Sequence, residues 1–166
     1  MERTTLLFQG TISSVNMERD FHKIKKNFIS LLGERWVSES SRDLTFYNRD
    51  LWPKEVISSK FGVFRHKPDL ILWPKDEKEI SEIIRIAREN RLNIIPFGAG
   101  SGVCGATVPS SSTQSIIIDV KRMNRILNVD YQSLLLDVEA GAIGYPLEIQ
   151  LNNKGFTLGH LSLIHI

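Results

Sequence analysis

The sequence predicts an α+β fold in which a β-α-β unit is followed by further strands and a helix. Residues 69–73 form a nearly continuous apolar run that ends at Pro74, as expected for a buried strand. Apolar residues then recur at helical spacing, namely Ile80, Ile83, Ile84 and Ala87, after an approximate capping box of Asp76 and Glu79. A second apolar run, residues 92–97, leads into a glycine-rich segment. The crossover between the two strands should be right-handed.

Shorter elements are predicted on both sides of this unit. A helix is expected from Asn16, as its N-cap, to Leu32, with Gly33 ending it. The lead-in arm, residues 38–66, is interpreted as irregular. Downstream, the patterns predict a strand at 115–120, a turn at 121–124, a pair of strands at 126–129 and 134–139, and a helix at 145–153. Residues 156–158 are expected to begin another strand.

The glycine loop, residues 98–105, carries the strongest functional signal. Four glycines are separated only by Ala, Ser, Val and Cys, so the loop offers little except its backbone N–H groups. Successive N–H groups that point inward form an anion-binding nest, and phosphate is its common ligand. We therefore interpret residues 96–105 as a pyrophosphate cradle. The alternative is a flexible loop without a ligand.

Two well-known phosphate-binding motifs do not fit this loop. Residues 100–105 match G-x-G-x-x-G, but Pro109 and the serine run 110–112 prevent a helix from following directly, as a dinucleotide fingerprint requires. No Lys-Ser or Lys-Thr pair follows a glycine here, so the Walker pattern is also absent. The sequence shows no metal-ligand spacing and no Ser-His-Asp or Cys-His arrangement.

Composition narrows the function classes. The chain has 166 residues, 42% hydrophobic and 24% charged, which is typical of one globular domain. A net charge of +2 is too small to indicate a nucleic-acid surface. The single cysteine allows no intrachain disulfide, and neither a signal peptide nor a membrane-spanning run is evident, so we expect a cytoplasmic location.

Five motifs in order resemble the FAD-binding domain of the vanillyl-alcohol oxidase / p-cresol methylhydroxylase (PCMH) family. They are residues 68–74, 95–101, 123–127, 138–141 and the pair Gly159-His160. The segment 47–53, Tyr-Asn-Arg-Asp-Leu-Trp-Pro, is similar to an arm before this domain in bacterial members. Within the family, the chain looks most like alkyl-dihydroxyacetonephosphate synthases and bacterial glycolate or D-lactate dehydrogenase flavoproteins.

The resemblance implies a PCMH-type FAD-binding fold that is incomplete in this chain, with non-covalent FAD as cofactor. It implies that the FAD pyrophosphate is wrapped by Pro96, Phe97, Gly98, Ala99, Gly100, Ser101 and Gly102. Gly100 stands about where some relatives attach flavin through a histidine, so no attachment is expected there. Cys104 is interpreted as a small packing residue. We expect a helix and lead-in arm at 1–66, a partial FAD-binding domain at 67–160 and a foreign tail at 161–166.

Several functions remain open at this stage. The main hypothesis is the N-terminal fragment of an FAD-dependent 2-hydroxy-acid oxidoreductase, whose catalytic residues lie beyond residue 166. The first alternative is ether-lipid synthesis by an alkylglycerone-phosphate synthase, in which the flavin undergoes no net redox change. Others are a non-catalytic nucleotide-binding module and a fragment that binds nothing stably. We expect FAD and a small-molecule substrate as partners, no nucleic acid, and a 166-residue chain that is catalytically inert and binds FAD weakly.

Overall fold

A four-stranded mixed sheet organises the molecule, which was analysed as a computed structural model describing residues 21–63, 66–109 and 113–159. Its strands are β1 (Val37–Ser38), β2 (Leu70–Leu72), β3 (Asn93–Phe97) and β4 (Ser115–Asp119), in the spatial order β1-β2-β4-β3. The central strands β2 and β4 are parallel, β3 is parallel to β4, and the short β1 is antiparallel to β2.

The predicted β-α-β unit is confirmed, with β4 inserted between its two strands. Helix α4 (Glu77–Glu89) connects β2 to β3, and its N-cap Asp76 accepts a hydrogen bond from the Glu79 N–H at 2.9 Å. The Glu79 carboxylate accepts in turn from the Lys75 N–H rather than from the Asp76 N–H of a standard capping box. Strands β2 and β4 are completely buried, as a continuous apolar run at the centre of a sheet predicts.

Side chains of alternate residues divide the core into two clusters on opposite faces of the sheet. One cluster packs helix α1 (residues 21–32) and α4 against Leu70, Leu72, Ile116 and Ile118. The other packs Tyr47 from the lead-in arm against Ile71, Ile117, Ile95 and Phe97. The first cluster includes residues from both sides of the expected boundary at residue 66; that boundary stays a prediction.

The lead-in arm is not irregular, which corrects the sequence interpretation. It contains α2 (Ser41–Phe46) and α3 (Pro53–Lys60). Ser40 caps α2 by accepting from the Asp43 N–H at 3.2 Å, and Pro53 occupies the first turn of α3. The two helices have six and eight residues, too few turns for a helical apolar period to be evident.

A second, two-stranded sheet follows β4. Strands β5 (Ile126–Asp130) and β6 (Leu135–Val138) are antiparallel, as predicted, and helix α5 (Gly144–Asn152) comes after them. Gly141 joins this part to the first sheet: its N–H donates to the Met123 carbonyl at 2.8 Å, and a Cβ there would lie 1.8 Å from the Val120 carbonyl oxygen.

Of the predictions for the two chain ends, one is confirmed, one is wrong and others concern residues outside the described part of the chain. Gly33 ends α1 with a φ of 89°, as expected, whereas its proposed cap Asn16 lies outside the described residues, as do His160 and the tail 161–166. The strand expected at 156–158 is wrong. Glu148 of α5 holds this segment instead, accepting from Thr157 Oγ1 at 2.6 Å and from the Leu158 N–H at 2.9 Å.

Candidate functional site

The glycine loop follows β3 directly, at the carboxyl end of a parallel strand. Ligands of open α/β sheets bind at this end. No helix forms among the described residues between β3 and β4, so the sequence argument against a dinucleotide fingerprint holds. No described helix directly follows the loop to supply the dipole of a dinucleotide fingerprint, so the loop's own N–H groups are its anion-binding donors.

The backbone donors of the loop are free to bind a ligand. Within the described part of the chain, no residue accepts a hydrogen bond from the N–H groups of residues 98–104. Ala99 and the four residues 101–104 are exposed. These seven donors lie in one exposed loop and are engaged by no described residue, so they are accessible to solvent and to an oxyanion such as pyrophosphate.

The conformation of the loop depends on glycine at position 100. Gly100 has a φ of 67°, in the left-handed region that other residues adopt only with strain. A Cβ at this position would lie 2.6 Å from Cζ of Phe97. An added side chain would therefore meet the Phe97 ring.

The arm motif, residues 47–53, lies against the other half of the loop. The Leu51 N–H donates to the Gly102 carbonyl at 2.8 Å, and the Gly105 N–H donates to Asp50 Oδ2 at 2.9 Å. A cavity of about 380 Å³ opens between arm and loop. Its walls come from α2, α3, the arm motif, the end of β3 and the start of the loop: Thr45, Phe46, Arg49, Asp50, Leu51, Ser59, Phe97, Ala99 and Gly100.

A buried polar cluster lies beneath this surface, at the carboxyl ends of β2 and β4. Asp119 is fully buried and accepts hydrogen bonds from the Tyr47 hydroxyl and from Trp73 Nε1, the latter at 3.1 Å. Lys121 Nζ forms an ion pair with Asp119 at 3.0 Å and donates to Tyr47 Oη at 3.2 Å. The Tyr47 ring stacks edge-on against Phe97, with centroids 4.6 Å apart, and so links the cluster to the loop.

The cluster shifts the pKa values of Tyr47 and Lys121. Burial raises the pKa of Tyr47, and the hydrogen bond to Asp119 raises it further. Burial alone would lower the pKa of Lys121, but the contacts with Asp119 and Tyr47 outweigh it, and the net pKa is raised. At neutral pH, Tyr47 is therefore neutral and Lys121 is a cation, so Asp119 has a charged partner inside the protein.

The structure places the sequence-predicted site residues in one continuous segment. Pro96 and Phe97 end β3, and residues 98–102 form the first part of the loop. Cys104, interpreted as a packing residue, is exposed instead. Sequence reasoning missed Asp50 as a contact of the loop. Its signal was the position of a charged residue inside the arm motif, but spacing alone does not bring residues 50 and 105 together.

Comparison with protein families gives a direct match. Residues 68–166 match the model of a family described as FAD binding domain. This range is more than half of the chain. The described residues contain no helix long and apolar enough to cross a membrane.

Two kinds of enzyme are similar in sequence to this chain. Alkyldihydroxyacetonephosphate synthase of Dictyostelium discoideum is 34% identical over 64% of the chain and 18% of its own length. Mitochondrial D-2-hydroxyglutarate dehydrogenase of Arabidopsis thaliana is 35% identical over 79% of the chain and 22% of its own length. The chain thus spans about a fifth of the length of these relatives.

Solved structures confirm the fold. An alkyldihydroxyacetonephosphate synthase structure superposes with a TM-score of 0.78 and 27% identity, over 83% of this chain and 26% of the other. The structure of p-cresol methylhydroxylase superposes with a TM-score of 0.66 and 23% identity, over 81% and 25%. The PCMH-type fold expected from the motif order is therefore present.

Proposed function

Because this chain belongs to the FAD binding domain family, whose cofactor is FAD, we propose that it holds the FAD of a 2-hydroxy-acid oxidoreductase. The observation that carries the cofactor assignment is the exposed glycine loop, whose N–H groups at residues 98–104 are engaged by no described residue. Residues 96–102 would hold the pyrophosphate, without a covalent bond to the flavin. When bound, FAD supplies an acceptor for the hydride of an alcohol oxidation.

The contribution of this chain to such a reaction is binding and orientation. Loop N–H groups would stabilise the negative charge of the pyrophosphate by donating hydrogen bonds to its oxygens. The Tyr47–Asp119–Lys121 cluster keeps the loop's base rigid through the contact of Tyr47 with Phe97. No acid or base for the substrate is assigned to the described residues.

Substitution of Gly100 tests the cofactor assignment. We expect Gly100→Val to weaken FAD binding at least tenfold. Valine would have to adopt the left-handed backbone conformation of Gly100, which is strained for it, and its side chain would displace Phe97. Isothermal titration with FAD measures the effect. Gly62→Val is the matched control: Gly62 also has a positive φ, 70°, but a Cβ there meets nothing within 4 Å. A folded Gly100→Val variant with unchanged affinity would remove the loop from the site.

Alkyl transfer in ether-lipid synthesis is the second candidate function. The similarity to alkyldihydroxyacetonephosphate synthases, including the superposition with a TM-score of 0.78, favours it. The two candidates differ in electron balance, since hydroxy-acid oxidation delivers two electrons to an acceptor and alkyl transfer delivers none. Dye reduction by the gene's full-length product with D-2-hydroxy acids supports oxidation. Alkyl incorporation without dye reduction supports the synthase.

The proposed location and partners rest on composition. One cysteine supports a reducing compartment, and we propose the cytoplasm. A net charge of +2 supports a small-molecule substrate rather than nucleic acid. Cell fractionation tests the location, and a mobility-shift assay with duplex DNA at physiological salt tests the second proposal. Submicromolar DNA binding would contradict the charge argument.

A further inference from the structure

The glycine loop is fixed at its far end by a carboxylate that belongs to a different part of the chain. Asp50 is only 2% exposed, and each of its oxygens accepts a backbone hydrogen bond. Oδ1 accepts from the Trp52 N–H at 2.8 Å, and Oδ2 accepts from the Gly105 N–H at 2.9 Å. One side chain therefore fixes the turn of the arm motif and also ties that turn to the loop.

Two more contacts make this junction close. The Leu51 N–H donates to the Gly102 carbonyl at 2.8 Å, next to the Asp50 bond. A Cβ on Gly102 would lie 3.2 Å from Asp50 Oδ2, and a Cβ on Gly105, which has a φ of 77°, would lie 2.5 Å from the Trp52 ring. The loop thus needs glycine at 105 to approach the arm and at 100 for its own turn, whereas a Cβ at 102 would only require Asp50 to shift slightly.

We infer that Asp50 is a positioning residue for cofactor binding, which holds the glycine loop in the conformation that presents its free N–H groups. This inference rests on the proposed function of the loop. Both oxygens of Asp50 already accept N–H groups of the protein, one from the arm and one from the loop. Asp50 therefore acts through the backbone of residues 102–105.

The advantage of this arrangement is preorganisation. A free glycine-rich segment has a large conformational entropy, which binding would have to overcome. Two hydrogen bonds from the arm, at Gly102 and Gly105, limit that freedom before FAD arrives. A loop ordered in advance binds its ligand more tightly without any additional contact to it.

Substitution of Asp50 tests the inference in the full 166-residue chain. Asp50→Asn keeps the shape of the side chain and one acceptor oxygen, but it presents an NH₂ group to one of the two N–H donors. FAD should therefore bind about tenfold more weakly to this variant, and more weakly still to Asp50→Ala. Asp69→Asn is the matched control. The Asp69 carboxylate also accepts a backbone N–H, that of Ser115 at 2.7 Å, but at the opposite end of the sheet.

Two measurements separate positioning from a merely structural role. Titration with FAD gives the Kd, and amide hydrogen exchange without ligand should be faster at Gly105 in Asp50→Asn while the sheet amides stay protected. If Asp50→Ala does not fold, Asp50→Asn carries the comparison. A folded Asp50→Asn variant with the wild-type Kd and wild-type exchange at Gly105 overturns the inference. Wild-type protein that binds no FAD overturns the proposed function itself.

Discussion

Asp119 is a fully buried carboxylate whose oxygens are contacted by several polar groups. A buried carboxylate is unfavourable unless it is paired and hydrogen-bonded. Here Oδ2 is contacted by three side chains, through the Tyr47 hydroxyl, Trp73 Nε1 and the Lys121 ammonium group. Oδ1 accepts a hydrogen bond from the backbone N–H of Lys121 at 2.9 Å. One of these partners, Tyr47, lies 72 positions before Asp119, and no sequence pattern predicted their contact.

Removal of the Tyr47 hydroxyl should alter the pH dependence of stability. The pKa of Tyr47 is raised in the fold, so its stabilising contribution is complete below about pH 10, the pKa of an unfolded tyrosine, and is lost as the pH rises above it. Tyr47→Phe should lower the free energy of unfolding by about 1–2 kcal/mol at pH 7 and reduce its decline above pH 10.

Urea unfolding between pH 7 and 11 measures both effects. Tyr131→Phe is the control, because Tyr131 is 64% exposed and only its ring contacts Phe156. An alkaline decline in Tyr47→Phe as steep as in the wild type would contradict the assignment. The pKa of Lys121 is also raised, so Lys121 likewise contributes a loss of stability at alkaline pH. This contribution is present in both the wild type and Tyr47→Phe.

Helix α4 illustrates what can be predicted for a whole element. Its start and length follow from the capping residues and the spacing of isoleucines, and the structure confirms them. The apolar face is only partly as predicted, because Ile84 is 47% exposed and Ile86 is buried instead. Its end is a Schellman motif: the Leu92 N–H donates to the Ala87 carbonyl at 2.9 Å, and the Arg91 N–H donates to Arg88 at 3.3 Å. The left-handed position is Arg91, with a φ of 55°, where glycine is usual.

Glycine at position 91 should therefore stabilise the fold. Arg91→Gly removes the strain of a left-handed arginine, and we expect the free energy of unfolding to rise by about 0.5–1 kcal/mol after the larger entropy of an unfolded glycine is included. Arg88→Gly, inside the same helix, should instead lower it by about 1 kcal/mol. Thermal unfolding measures both. Equal destabilisation by the two variants would contradict the motif.

The elements that sequence reasoning missed have a common physical cause. Helices α2 and α3 are too short to carry a clear period of their own, and α2 is stabilised by tertiary contacts of Leu44 and Tyr47 with the sheet. The same holds for residues 156–158, which looked like a strand but are bound by Glu148. Hydrogen bonds from Thr157 and Leu158 lower the pKa of that carboxyl.

At the scale of the whole molecule, the site depends on residues far from it in sequence. The glycine loop was predictable because four glycines follow a strand, whereas its support was not, since Asp50 and Gly105 are 55 positions apart. The family model starts at residue 68, yet the p-cresol methylhydroxylase superposition covers 81% of the chain. The core likewise includes Ile24, Phe28 and Val37.

The shared core predicts that damage to helix α1 will reach the glycine loop. Phe28 is fully buried, and Phe28→Ala should lower the free energy of unfolding by about 3–5 kcal/mol, because it leaves a cavity against the sheet. Phe61→Ala is the control, since Phe61 is 80% exposed. Urea unfolding should show one transition in which helix α1 and the sheet unfold together, with FAD binding lost at the same urea concentration. A Phe28→Ala variant that loses α1 but keeps a folded, FAD-binding remainder would instead establish an independent domain beginning near residue 67.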